Sequence, residues 1–452
     1  MARCNAHIWT GRNGRHPLAG PSPSDERRPI SGQARPTCTT HDPDQTRSHD
    51  IRRRKRREET CMTRMDRMVL NVGGPADLHK LDRLPTSLRL TALILSRLTC
   101  GRLDMTLPDG RTLRFTGKEP GPQAELIVHD PTFVRQVMSK GDIGFAEVFM
   151  DGKVDSPDLA ELLQYFNANW EDANKLTVGS KIAGFFANIR KMLRANTKKG
   201  SKRNILAHYD LGNDFYKAWL DPTMTYSSAI YAEQDQELQD AQLAKYRSIA
   251  RNLELKPGQH VLEIGSGWGG FAEVAAKEFG ARVTSVTISD AQHAYATKRI
   301  ADAGLSDKVE IVMRDYRDVR GQFDAVASIE MFEAVGEQYW PGYFDKIAEV
   351  LKPGGRAALQ IITIADKYFE EYRRRADFIQ IYIFPGGMLP SVGRLKEETE
   401  RAGMAFSVDA MFGKSYARTL HEWAKRFDIS WDKIKGGKFD EQFRRLWLYY
   451  LA

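Results

Sequence analysis

Cysteine is scarce in this 452-residue chain and confined to its first hundred positions, as Cys4, Cys38, Cys61 and Cys100. Beyond Cys100 there is no disulfide, no thiol nucleophile and no thiolate metal site. That usage fits a reducing, cytoplasmic setting. Long apolar runs are missing as well. The best stretch, Leu88 to Leu98, is interrupted by Arg89 and Arg97, too short and too charged to cross a bilayer. The first residues hold no apolar signal-peptide core. The ten histidines have no carboxylates at ligand spacing, so no metal site is expected. No Ser-centred nucleophile elbow occurs.

Charge is also scarcer than the total suggests. Lys plus Arg exceed Asp plus Glu by 67 to 59, a formal +8. Residues 1–66 carry 14 basic and 8 acidic side chains, hence most of that excess. The rest of the chain is nearly balanced, and a bulk argument for nucleic-acid binding fails.

What is present divides into four segments. Residues 1–66, rich in Arg, Pro, Ser and Thr and holding the run Arg52–Arg57, read as a disordered basic tail. Met62, Met65 and Met68 follow closely, which suggests an over-extended start. Residues 80–175 read as a small α+β domain. It has a helix near Leu88–Leu98, two alternating strands around Asp109-Gly110, and helices near Thr132–Lys140 and Ser156–Asn169. Residues 176–204 read as a basic amphipathic helix and linker. Ile182, Phe185, Phe186, Ile189, Met192 and Leu193 share one helical face amid Lys and Arg, a pattern suited to an anionic lipid surface or to packing on its own domain. Residues 205–452 read as the largest domain, where strands alternate with helices: His260–Ile264, Arg282–Ile288, Val309–Met313, Phe323–Ile329 and Arg356–Ile364 are strands, Phe271–Phe279 and Asp290–Ala303 helices. That alternation predicts an α/β fold, a parallel sheet covered on both faces.

The first of these strands runs into Glu263-Ile264-Gly265-Ser266-Gly267-Trp268-Gly269-Gly270. Gly265, Gly267 and Gly270 satisfy the dinucleotide spacing, while Gly265, Gly267 and Gly269 satisfy the tighter spacing of S-adenosylmethionine enzymes. Three features favour the sulfonium cofactor. Glu263 is an acid that can hold an ammonium and would repel a pyrophosphate. Trp268 puts bulk where a pyrophosphate needs bare backbone. The second strand ends Thr287-Ile288-Ser289 without a ribose-gripping acid, whereas Asp315-Tyr316 after the third strand suits an adenine.

Several further motifs, in order, resemble the cyclopropane-fatty-acyl-phospholipid synthase family of S-adenosylmethionine-dependent methyltransferases. They are His208–Tyr216 continuing through Trp219 to Ser228, the loop Glu263–Gly270, Met331-Phe332-Glu333, Tyr382–Gly387 with Leu389-Pro390-Ser391, and Phe412-Gly413 through Tyr416 to Trp423. The likeness extends more weakly to Gly144–Glu147 and Met150-Asp151-Gly152. It implies a Rossmann-like class I methyltransferase with a seven-stranded, mostly parallel sheet. It also implies transfer of a methylene group from S-adenosylmethionine to the cis double bond of a phospholipid acyl chain, forming a cyclopropane.

By the same resemblance Tyr226, Ser227, Glu263, Gly265, Gly267, Gly269, Thr287, Ser289, Gln292, Asp315 and Tyr316 surround the cofactor. Glu333, Tyr416, Ser228 and His208 are the expected catalytic group, His208 ordering its segment. The resemblance also implies a bound bicarbonate as base, held by a Cys, a Glu, a His, a backbone contact and a Tyr. Ser228 falls on the Cys position and Ile362 on the His position, where no anion can be ligated; Ile364 matches the backbone contact. Ala334 stands where a His commonly follows the Glu. These departures keep open a methyl-branched or methylene product. An NAD(P)-dependent enzyme and a decayed lipid-binding scaffold are the other classes weighed. The implied partners are unsaturated phospholipid at the inner membrane face, approached peripherally from the cytoplasm, and a second copy of the chain; no nucleic acid and no metal are expected.

Overall fold

The computed structural model describes residues 3–11, 69–74, 76–77, 84–172 and 211–452, with only the backbone course for 3–11. The predicted basic helix within 176–204 and His208 lie outside the described residues.

The larger sheet is built on β7 (His260–Ile264), β8 (Arg282–Thr287), β9 (Val309–Met313), β10 (Phe323–Ile329) and β11 (Leu351–Ile364). These five are mutually parallel. Their inner members are almost wholly buried, as in β7 and β10, because helices cover both faces. The helices Leu238–Asn252, Gly270–Glu278 and Asp290–Asp302 bury Ile249, Phe271, Val274 and Ile300 on one face. The helices Trp340–Val350, Asp366–Tyr372 and Val392–Arg401 bury Trp340, Phe344, Ile347, Phe369 and Leu395 on the other. The strand order runs β9-β8-β7-β10-β11, so the chain reverses direction across the sheet between β7 and β10. Ligands bind at such a switch point, beyond the carboxyl ends of the strands.

Two more strands complete this sheet. β12 (Ala405–Met411) lies at the edge, and β1 (Arg3–Gly11) is inserted between β11 and β12, antiparallel to both. This corrects the reading of residues 1–66 as wholly disordered. The backbone of β1 pairs with β11 from Arg3 opposite Ile364 to Gly11 opposite Arg356. Composition hid this strand. Its short β-favouring run, Ile8-Trp9-Thr10, is stabilised by ladder bonds on two sides at once, partners more than 340 positions away.

A second sheet holds β2 (Val69–Asn71), β3 (Cys100–Thr106), β4 (Thr112–Thr116), β5 (Glu119–Val128) and β6 (Val154–Asp155), in the order β2-β4-β3-β5-β6. The hairpin β3–β4 turns at Asp109-Gly110, with Gly110 at φ +86° and Arg111 donating to Asp109. Leu103, Met105, Leu113, Phe115, Leu126 and Phe149 form its core. It meets the C-terminal helix Glu441–Leu451 through Arg445, whose guanidinium donates to the carbonyl of Val154 at 2.7 Å and to Asp155 at 3.0 Å. Tyr382 adds a second link, its hydroxyl donating to Glu147 at 3.0 Å. Among the described residues no helix is long and apolar enough to cross a membrane.

Candidate active site

A cavity of about 250 Å³ opens at the carboxyl ends of β7, β8, β9 and β10. The β7 turn forms one wall. The helix after it begins at Gly270, and Gly269 just before it takes φ +85° with its hypothetical Cβ 3.1 Å from that of Ala296. Gly270 serves a different need: a Cβ there would lie 2.6 Å from the Tyr246 hydroxyl. The left-handed positions are thus 265, 267 and 269, and the dinucleotide-like match through Gly270 comes from helix packing.

Beneath this loop Glu263 is buried and accepts a hydrogen bond from the Ser285 hydroxyl, which also lies 2.7 Å from Ser266 Oγ. Burial pushes the Glu263 carboxyl up to about 8. A cation brought beside it would favour the ionised form and restore the carboxylate. Trp268 does not block the loop; its indole donates to Asn213 at 2.9 Å and pins the loop to the segment before the catalytic sheet. Thr287 and Gln292 line the cavity, the Thr287 hydroxyl donating to Gln292 Oε1 at 3.2 Å. Ser289 sits behind them, capping the helix Asp290–Asp302, and neither it nor Gly269 lines the cavity. Asp315 and Tyr316 reach the cavity wall, Asp315 held in a two-pronged pair with Arg317. Burial drives the Tyr316 hydroxyl up to about 12, so the ring stays neutral.

The opposite wall is aromatic and apolar: Tyr226, Phe384, Trp423, Met388, Leu389 and Ile362. Tyr226 packs against Trp423 with centroids 5.2 Å apart and donates its hydroxyl to Tyr450 at 2.9 Å. Tyr416, on the helix Gly413–Ile434, lines the same space. Glu333 stands just past β10, four residues beyond Ile329 in the short turn Phe332–Ala334. Its Oε1 accepts the Ile362 N–H at 2.6 Å, and its Oε2 is buried without a hydrogen-bond partner. Burial first, and the carboxylate of Glu330 second, push Glu333 up to about 8.

Four contributors escaped the sequence reading. Glu330 lines the cavity at φ +48°, its Oε1 accepting from the Ser228 N–H at 2.9 Å and from Gln360 Nε2 at 2.8 Å. Lys245 is fully buried and donates to Ser227 Oγ at 2.6 Å; Gln242 donates to the Ser227 carbonyl at 2.8 Å. The spacing Glu330-x-x-Glu333 at the end of a strand was the available signal for the first. Lys245 and Gln242 lie on a helix where a charged residue ordinarily faces water, so the sequence carries no signal for them.

Ser228 is corrected. Expected to donate its hydroxyl to an anion, it donates instead to the carbonyl of Ala229 at 2.9 Å. The residues present do not fit bicarbonate. Ile362 offers an apolar side chain, the Ser228 hydroxyl is turned to the backbone, and two carboxylates already occupy the wall an anion would share. The loop side does fit an S-adenosylmethionine: a buried acid for its ammonium, open backbone at Gly267, and an aromatic ring beside an acid at 315–316.

Residues 196–452 match the family model described as mycolic acid cyclopropane synthetase. The chain belongs to that family. It is 37% identical over 346 residues to a tuberculostearic acid methyltransferase of Mycobacterium tuberculosis, covering 75% of this chain and 81% of that one. It is 36% identical over 330 residues to the cyclopropane-fatty-acyl-phospholipid synthase of Escherichia coli, covering 73% and 82%. Among solved structures it superposes on a mycolic acid cyclopropane synthase complexed with SAH and CTAB, with a TM-score of 0.51 and 29% identity over 55% of this chain and 90% of that one. The protein is an S-adenosylmethionine-dependent methyltransferase with the class I fold, and S-adenosylmethionine is its methyl donor.

Proposed function

We propose that this chain methylates the cis double bond of unsaturated acyl chains in membrane phospholipid. One observation carries the reading: a single cavity joins the glycine loop to an apolar, aromatic wall that ends on two half-buried carboxyl groups. An alkene is a weak nucleophile. It reacts only when held in line with an electrophilic methyl in a site that excludes water. Met388, Leu389, Phe384 and Ile362 supply the apolar channel for the chain. Attack by the π pair leaves a cation on the neighbouring carbon. The faces of Tyr226, Tyr416 and Trp423 and the carboxyl groups of Glu330 and Glu333 are placed to stabilise it. Substrates of this kind lie in a membrane surface, which the basic segment before the catalytic domain suits.

The family resemblance points to a cyclopropane product. Ile362 and Ala334, where a bicarbonate-binding site needs polar groups, favour an open-chain methyl-branched or methylene product from the same cation. Two relatives bear names for the two outcomes, a cyclopropane synthase and a tuberculostearic acid methyltransferase. The test is to incubate the enzyme with S-adenosylmethionine and vesicles of a cis-monounsaturated phosphatidylglycerol. Acyl chains heavier by one CH2, matched by S-adenosylhomocysteine release, support the reading, and NMR separates ring from branch. Unchanged lipids from folded, cofactor-binding protein refute it.

A further inference from the structure

The site described above has no built place for an external base, yet the chemistry cannot finish without one. The cation must lose a proton, and some group must accept it. Glu330 is the residue the fold has put in that position at a conformational expense. It follows directly on β10 and takes φ +48°, a region a non-glycine residue rarely occupies unless its surroundings impose it. The surroundings are specific. The backbone N–H of Glu330 donates to the Gln360 carbonyl at 2.8 Å. The Gln360 side chain, wholly buried, returns a bond to Glu330 Oε1 at 2.8 Å and another to the Ser228 carbonyl at 3.1 Å. Ser228 N–H completes the cradle at 2.9 Å.

We propose that Glu330 is the proton acceptor of this methyltransferase, a carboxylate of the chain itself doing the work that the resemblance assigns to bicarbonate. The inference rests on the alkene-methylation reading. In the first step the π pair of the alkene forms the new C–C bond while the C–S pair of the sulfonium stays with sulfur. In the second, Glu330 takes a proton. If it comes from the new methyl group, the freed C–H pair closes a ring. If it comes from an adjacent chain carbon, the pair forms the double bond of a methyl-branched alkene. Either way the cation is neutralised, Glu330 becomes a carboxylic acid, and it later returns the proton to solvent. No oxidant or reductant is needed.

The charges facing Glu330 suit this role. Glu333, on the same turn, is raised by burial first and by the carboxylate of Glu330 second. Lys245, buried behind Ser227, is attracted to both Glu330 and Asp221 and is the nearby cation.

The experiment compares wild type and Glu330→Gln in carbon-dioxide-free buffer, with and without added bicarbonate. The substrates are S-adenosylmethionine and cis-monounsaturated phosphatidylglycerol vesicles. Gln keeps the volume and an oxygen that can accept from Ser228 and Gln360, so a merely structural role survives the change. Expected is wild-type turnover independent of bicarbonate, and a loss of about 100-fold or more in Glu330→Gln with unchanged S-adenosylhomocysteine affinity. Wild-type turnover that collapses without bicarbonate and returns on its addition overturns the proposal, even if the variant fails to fold. So does near-normal turnover by folded Glu330→Gln. Absence of lipid product from wild type in every buffer instead overturns the alkene-methylation reading, and this proposal with it.

Discussion

Lys245 and Ser227 are joined by a 2.6 Å hydrogen bond in a shell that water does not reach. Ser227 belongs to the turn that lines the cofactor side of the cavity, and Gln242, one helical turn before Lys245, holds the same residue by its carbonyl. The helix Leu238–Asn252 thus fixes the Tyr226-Ser227 turn from behind.

Lys245→Met should therefore weaken the binding of S-adenosylhomocysteine by about tenfold, near 1.4 kcal/mol, through loss of that anchor. Isothermal calorimetry reads the affinity directly. Unchanged affinity would assign Lys245 to packing alone.

Glu333→Gln should keep cofactor affinity and lose turnover by about 100- to 1000-fold. The amide can still accept the Ile362 N–H but has no carboxyl proton to give or take. Steady-state rates together with calorimetry separate the two effects, and near-normal turnover would remove Glu333 from the mechanism.

Gly270→Ala should destabilise the fold by about 1–3 kcal/mol, since the added methyl meets the buried Tyr246 ring and hydroxyl at 2.6–2.9 Å. Combining it with Tyr246→Phe should recover part of the loss by removing the hydroxyl, the nearest of those atoms. Urea unfolding of the single and double variants measures the coupling; strictly additive losses would refute the contact as the cause.

Stability of the cofactor-free protein should fall as pH rises from about 5 to 7. Glu263 and Glu333 are raised by burial from 4.5 to about 8, so over this range the folded state holds protons the unfolded state has released. Each contributes a slope of at most about 1.4 kcal/mol per pH unit. Lys245, lowered by burial from 10.5 to about 7, acts with the opposite sign above pH 7 and should restore stability toward pH 10. Urea midpoints across pH check the curve, and Glu333→Gln should flatten its acidic limb. A midpoint that climbs from pH 5 to 7 would contradict both carboxyl assignments.

Much of the fold was legible along the chain because its signals are local. Apolar runs bounded by turns marked β7 to β11 to within a few residues, and Asp109-Gly110 marked its hairpin. Glu263, Gly265, Gly267, Asp315 and Glu333 were legible because a strand end followed by a turn is where a doubly wound sheet places its chemistry. β1 was not, because its stability comes from ladders to β11 and β12 that no local pattern announces.

The amino-acid sequence by itself determined the class of fold, the cofactor loop and the family, since each depends on periodicity and motif order within short windows. Only the tertiary structure decided which carboxylates face each other, which way the Ser228 hydroxyl turns, and that Lys245 points inward. Those outcomes depend on burial and on partners distant in the chain. The same Glu or Lys is a solvated charge or a working group according to what the folded neighbours leave around it.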